Sequence, residues 1–257
     1  MDNSVILVSP LHDPDARLEE EVIKNGVKLN AFFNNLVIVS TTENTSEKTI
    51  KALNNTRLNY SFLSEEIENT LGNNYRNAIK LGLEKNSSHI LLLDFDRALH
   101  WTRRFAQELE EIKNKLLSLN GFTSFVRTRR AFESHPLMQR STETTINAIA
   151  SEVAKKDIDI MSGAFGMDRN FAETVLKFSK RDDFGFYAEI LEIALKNNTT
   201  IDTIEVEGLE WETPDQYKDK INKEGYSQWL SEFESLSEWE KRVKLIEKST
   251  EVLTENQ

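Results

Sequence analysis

The sequence has no cysteine. That excludes disulfides, zinc–thiolate centres and cysteine nucleophiles. Histidine is almost as scarce: the four present, His12, His89, His100 and His135, are too scattered for a histidine-rich metal centre. Positive charge is outnumbered, 32 Lys and Arg against 43 Asp and Glu, for a formal net charge of −11. Binding a phosphate backbone needs a basic patch, so broad nucleic-acid binding is not expected. No hydrophobic run approaches the about 20 apolar residues of a membrane-spanning helix. The first residues carry no basic segment ahead of an apolar one, so no targeting sequence is read there and a cytoplasmic protein is expected. No internal repeat or low-complexity linker marks off a second domain. What is present is the composition of a globular protein. The chain has 257 residues, 39% apolar and 29% charged, enough for one large domain with an appendage.

The most informative stretch is SHILLLDFDR, residues 88–97. Its apolar run is too short to cross a membrane and reads as a strand buried on both faces. Residues i and i+2 of an extended chain point to the same side. The carboxylates of Asp94 and Asp96 are therefore expected to converge where the strand leaves the core. Mg²⁺ and Mn²⁺ take oxygen ligands, usually one or two carboxylates plus substrate phosphates. The same spacing also suits a strand that ends in a turn, with Asp96 capping the next helix.

Short apolar runs at 5–8, 36–40 and 59–62 read as further strands, and the periodicity predicts helices over 17–24, 47–54 and 73–84. Strand–helix alternation at this pace implies parallel strands with helices on both faces. Ligands of such sheets bind beyond the carboxyl ends of the strands. Ser9-Pro10, Ser40-Thr41 and Asp94-Phe95-Asp96 all fall at such ends and are candidates to share one site. Further on, the pattern predicts helices over 101–119, 141–154, 171–179 and 186–196, and strands over 121–126, 158–160 and 200–206. Arg127, Arg129 and Arg130 put three cations in four residues. They suit an anionic acceptor, since Arg pairs bidentately with phosphate and carboxylate, or equally a solvated loop. From Pro214 onward Trp229, Leu230, Phe233, Leu236, Trp239, Val243 and Ile246 recur every three or four residues. They read as one or two amphipathic helices that pack on the domain or make a homo-oligomer contact. The expected division is a catalytic domain over 1–212 and a helical extension over 213–257.

Three segments carry a resemblance. The first runs from Gly72-Asn73-Asn74-Tyr75-Arg76-Asn77-Ala78 through Gly82-Leu83-Glu84 to Asp94-Phe95-Asp96. The second is Ser162-Gly163-Ala164-Phe165-Gly166-Met167-Asp168-Arg169. The third is Asp182-Asp183-Phe184-Gly185-Phe186-Tyr187-Ala188-Glu189. In this order and spacing, residues 4–210 resemble GT-A fold nucleotide-diphospho-sugar glycosyltransferases, family 2-like enzymes and the mannosylglycerate and glucosyl-phosphoglycerate synthase branch among them. The resemblance implies a single Rossmann-like GT-A α/β domain with a mostly parallel mixed sheet and a helical C-terminal extension. It implies hexosyl transfer from a UDP- or GDP-linked donor to a small or phosphorylated acceptor, with Mg²⁺ or Mn²⁺ held by Asp94 and Asp96. Ser9, Pro10 and Asp13 would then hold the base and ribose, with Ser40 and Phe95 beside them. Arg76 would face the diphosphate or the base. Gly163 and Ala164 would lie on the acceptor side, with Arg127 and Arg129 binding the acceptor's anion. Asp183, or else Glu189, would be the general base of an inverting reaction. Asp182-Asp183 also reads as a helix N-cap pair.

The sequence departs from the pattern in two ways. It has no Gln-x-x-Arg-Trp motif, and no histidine follows Asp183. A third cation ligand falls to water, to a carboxylate such as Glu207 or Glu210, or to nothing. Two other functions suit the residues: a non-catalytic nucleotide(-sugar)-binding protein of the same fold, and a phosphohydrolase with Asp94 as nucleophile. The latter needs D-x-D after the first strand and Gly-Thr/Ser behind it, whereas Arg97-Ala98 follow here.

Overall fold

The computed structural model describes residues 2–255. The strands are β1 (Asp2–Leu11), β2 (Val37–Thr41), β3 (Asn59–Phe62), β4 (Ser87–Leu93), β5 (Phe122–Arg127), β6 (Ala164–Asp168) and β7 (Ile201–Val206). They form one sheet in the order β3-β2-β1-β4-β6-β5-β7. β1 pairs in parallel with β2 and β4, β2 with β3, and β5 with β7. β6 runs antiparallel to both of its neighbours, β4 and β5. The helices are α1 (Glu19–Phe32), α2 (Glu47–Asn55), α3 (Leu71–Leu83), α4 (Phe95–Arg104), α5 (Ala106–Leu116), α6 (Arg129–Glu133), α7 (Leu137–Ala154), α8 (Arg169–Phe178), α9 (Gly185–Lys196), α10 (Lys218–Glu224), α11 (Tyr226–Phe233) and α12 (Leu236–Thr254). The α/β class and the mostly parallel mixed sheet expected from the sequence are both present.

The continuous apolar runs resolve into two faces because side chains alternate along a strand. Ile6, Val8, Ile90 and Leu92 join the core under α3, α7, α8, α9 and α12. Val5, Leu7, Leu91 and Leu93 join the core under α1, α2, α4 and α5. Each fully buried Leu or Ile contributes about 1.5–3 kcal/mol, so strands with two covered faces form the centre of the sheet. α12 lies across α9 and α7, with Leu245, Val252 and Leu253 in the shared core. Trp229 of α11 stacks on Trp211 with ring centroids 5.4 Å apart.

Two predicted elements differ. The helix expected over 101–119 is two helices, broken at Phe105, whose φ of −136° and ψ of 48° lie outside the helical region. The 105/109/112/116 periodicity belongs to α5, and α4 starts directly behind β4. The strand expected over 158–160 is absent. Asp159 turns its carboxylate onto Arg127 and Asn147, a 3₁₀ turn follows at Ile160–Ser162, and Gly163 sits at φ +66°. The strand begins after this turn, at Ala164, inside the segment 162–169 for which the sequence predicts no strand.

Candidate active site

The site begins where β4 ends. Asp94 is extended, at φ −55° and ψ 139°, and α4 starts at the next residue. Asp94 therefore closes the strand while Asp96 lies in the first helical turn. The two carboxylates are brought together by this strand-to-helix corner rather than by the pleat of one strand. Both line a cavity of about 400 Å³ with Pro10, Leu11 and His12 from the end of β1, Asn69 to Leu71, Asn74 and Tyr75 from the start of α3, and Gln216. No lysine or arginine is among its described lining residues.

Each acid is held by named donors. The Tyr75 hydroxyl donates to Asp94 Oδ1 and lies 2.6 Å from the Tyr187 hydroxyl of α9. Asp94 Oδ2 lies 3.4 Å from Arg97 Nε. Behind it is Gly163, where a Cβ would fall 3.0 Å from that oxygen. Asp96 Oδ1 accepts from the Arg97 backbone N–H at 2.8 Å, and Oδ2 accepts from Gln216 Nε2 at 2.6 Å. Arg97 donates to the Ser162 carbonyl and lies 3.8 Å from the buried Glu212.

Three acids thus surround one guanidinium. Burial pushes the Asp94 carboxyl up, and Arg97 only partly opposes this. Burial, and then the charge of Asp94, push Asp96 up to about 6. Burial also raises Glu212 against the pull of Arg97. Burial works against Arg97 as well, but Glu212, Asp94 and Asp96 outweigh it and leave the guanidinium more basic than usual. Tyr75 is raised well above its ordinary value by burial and by the carboxylate of Asp94, so its hydroxyl stays a proton donor.

Two mutually repelling carboxylates, with oxygen donors only, fit a hard divalent cation. Among the described residues no group of three or more acidic or histidine side chains is arranged to hold a metal. The protein's share of such a site would be Asp94 and Asp96, with water and a ligand's phosphates completing it.

The other candidate residues divide. Pro10 and Phe95 line the cavity. Ser9 and Ser40 are fully buried behind it, and Ser40 Oγ accepts from Asn77 Nδ2 at 2.8 Å. Asp13 is a correction: its carboxylate accepts from the N–H groups of Arg17 and Leu18 and from Thr49 Oγ1, at 2.8, 3.0 and 2.7 Å. It ties the loop ahead of α1 to α2, is buried, and does not line the cavity. Arg76 is a second. It clamps the loop before α9, donating to Ser179 Oγ, the Arg181 carbonyl and Asp182.

Arg127 is a third. Its side chain is fully buried at the end of β5, 2.7 Å from Asp159 and 2.8 Å from Glu143, so it cannot meet an acceptor. Arg129 is exposed and pairs with Glu133 at 2.7 Å. Arg130 takes up both Glu207 and Glu210, which removes those two acids from any cation site; the acid beside the corner is Glu212. Gly163 abuts Asp94, while Ala164 is buried in β6 opposite Leu93. Asp183 pairs with Arg181 at 3.2 Å and caps the Gly185 N–H at 2.9 Å. Glu189 is buried, accepting from Ser179 Oγ at 2.6 Å, from the Lys180 N–H at 2.8 Å and from the Arg181 N–H. Neither Asp183 nor Glu189 lines the cavity. Gln216 and Glu212 carry no signal in the sequence that would single them out. Tyr75 reads only as one more inward residue of α3.

The architecture is shared with solved structures. The UDP complex of glucosyl-3-phosphoglycerate synthase from Mycobacterium tuberculosis superposes with a TM-score of 0.53 at 12% identity, over 79% of this chain and 69% of that one. Mannosyl-3-phosphoglycerate synthase from Rubrobacter xylanophilus superposes with a TM-score of 0.58 at 12% identity, over 86% of this chain and 75% of that one. This chain has the GT-A fold. No protein-family model and no curated protein sequence matches it. At these identities it is the GT-A architecture that is shared; in this chain the corner after β4 and the end of β1, parallel to it, open onto the same edge of the sheet. No helix among the described residues is long and apolar enough to cross a membrane.

Proposed function

We propose that the chain is a metal-dependent glycosyltransferase, moving a hexosyl group from a UDP- or GDP-linked sugar to a small or phosphorylated acceptor. One observation carries this reading: Asp94 and Asp96 face a cavity of about 400 Å³ whose described lining holds no lysine or arginine. A diphosphate would be repelled from such a lining, and a hard dication between the acids would offset their charge and offer the phosphate oxygens a ligand position. Mg²⁺ or Mn²⁺, when bound, supplies positive charge against the departing diphosphate. The chain's own groups hold the acids in place. Tyr75 donates to Asp94, the Arg97 N–H and Gln216 donate to Asp96, and the wall from Pro10 to His12 offers a surface for a nucleoside. In the transfer, the bond from the anomeric carbon to the diphosphate oxygen breaks. A bond to the acceptor oxygen forms, and the proton of the acceptor hydroxyl passes to the departing diphosphate or to water. The M. tuberculosis synthase has been solved with Mn²⁺, UDP-glucose and phosphoglyceric acid, at a TM-score of 0.53 and 9% identity to this chain. That likeness of fold supports the reading.

A second reading has its own observation. Asp183 and Glu189, the acids expected to take the acceptor proton, are both committed to Arg181 and to backbone N–H groups. This favours a non-catalytic nucleotide-sugar-binding protein. Melting curves with UDP- and GDP-sugars and Mn²⁺ test both readings, with a rise expected for wild type and none for Asp96→Ala. Release of nucleoside diphosphate across an acceptor panel then separates enzyme from binder. No rise with any nucleotide sugar in the presence of Mn²⁺ refutes both.

A further inference from the structure

Gln216 follows Asp96 by 120 residues, yet its Nε2 donates to Asp96 Oδ2 at 2.6 Å and it lines the same cavity. A carboxylate only accepts hydrogen bonds, so the amide nitrogen must be the atom that faces it. The contact is charge-assisted, which makes it stronger than a bond between neutral groups. The residues on either side of Gln216 are pinned to α4, to α1 and to the loop ahead of α1. Asp215 lies 2.7 Å from His100 Nδ1 and also pairs with Arg103, both on α4. Tyr217 accepts a hydrogen bond from Arg17, whose guanidinium sits 4.7 Å over its ring, and packs on Trp229. Lys218 pairs with the buried Glu21 of α1. Gln216 therefore sits on a segment fixed at both ends, and its position is set independently of whatever the cavity holds. Its Oε1 accepts no hydrogen bond from the described residues.

We propose that Gln216 is a positioning residue for a divalent cation at this corner. It holds Asp96 Oδ2 toward the cavity, so that the carboxylate meets the ion already oriented. The Arg97 N–H fixes the other oxygen, so Asp96 is held from both sides. This rests on the reading that Asp94 and Asp96 bind a cation, and it assigns to the segment Thr213–Tyr217 a part in the site rather than in packing alone. Partners that orient a ligating side chain typically contribute 10–100-fold to metal affinity. A carboxylate left without its hydrogen bond would also swing toward Arg97, which already competes for Asp94.

The test is Mn²⁺ binding to the full chain, read by calorimetry or by the spin signal of free Mn²⁺. Three proteins are compared: wild type, Gln216→Leu and Gln216→Glu. Leu keeps the bulk without the donor, while Glu replaces the amide with a third carboxylate that can itself meet the ion. The expected result is about tenfold weaker binding for Gln216→Leu and binding at least as tight as wild type for Gln216→Glu. Metal-free, Gln216→Leu should melt a few degrees below wild type through the lost bond to a charged group, and Gln216→Glu should also melt lower through a third carboxylate at the corner. With Mn²⁺ the two variants separate, Gln216→Glu being raised at least as far as wild type and Gln216→Leu much less, which a purely structural role for the segment would not produce. Wild type and Gln216→Leu binding Mn²⁺ equally well would overturn the assignment and leave the cation reading standing. Wild type binding no Mn²⁺ would overturn both.

Discussion

Replacing Asp96 by Asn should make the metal-free protein more stable, although it removes an acid held by two hydrogen bonds. Burial, followed by the charge of Asp94, raises the carboxyl from 3.8 to about 6. The sign follows from linkage. The folded state binds the proton more tightly than the unfolded chain. The charged carboxylate therefore destabilises the fold fully above pH 6 and not at all below pH 3.8. A shift of about two pH units corresponds to about 3 kcal/mol, and water in the cavity screens part of it, leaving about 2 kcal/mol. Asn has the shape of Asp without the charge. Its oxygen still accepts from the Arg97 N–H, and the Gln216 amide turns over to accept from the new NH₂.

At pH 7.5 with a chelator present, Asp96→Asn should melt about 4–8 °C above wild type, since 1 kcal/mol moves a chain of this size by about 2–4 °C. The gap should narrow as pH falls from 6 toward 4, where wild type takes up the proton. Mn²⁺ should reverse the order, raising wild type alone. Thermal denaturation followed by circular dichroism across pH measures all of this. A variant that melts at or below wild type at pH 7.5 without metal, or a gap that does not change with pH, would refute the electrostatic account of the corner.

Two further outcomes follow from side chains the structure removes from the site. Arg127→Ala leaves Asp159 buried without its cation and Glu143 with Arg242 alone; a loss of about 3 kcal/mol in urea unfolding is expected, with the nucleotide-sugar melting shift kept wherever the variant folds. Glu189→Ala frees the Ser179 hydroxyl and two backbone N–H groups. It should lower stability by about 1–3 kcal/mol, while glycosyl transfer measured well below the melting temperature changes less than tenfold; a hundredfold loss in a fully folded variant would restore it as a base.

The central strands are legible because burial on both faces writes them as unbroken apolar runs, Ile6-Leu7-Val8 and Ile90 to Leu93 alike. The Asp94/Asp96 corner shows in the sequence as two acids directly after such a run, a spacing that suits a strand ending in a helix cap equally well. β6 is not. It lies between β4 and β5, yet it opens on Ala164 and carries Gly166 where Leu116 and Thr123 leave no room for a side chain, so a central strand has the composition of a turn. The arginines at 127–130 show the opposite limit. One is sealed in the core, one is in solvent and one bridges two glutamates, and nothing in a run of cations sorts them. Glu189 and Asp13 bind backbone N–H groups, partners that every residue except proline offers and that leave no mark in a sequence. Gln216 meets Asp96 only through the path of the whole chain.

The bonds from Arg17 to Tyr217 and from Lys218 to Glu21 join residues 200 and 197 positions apart. Loops of that span close late, because their entropy must be lost before the contact returns anything. During synthesis α1, the sheet and the acidic corner can assemble while the segment from Thr213 is still being made. The cavity would then stand open on one side, so a nascent chain should meet cations and nucleotides with a looser pocket than the finished one.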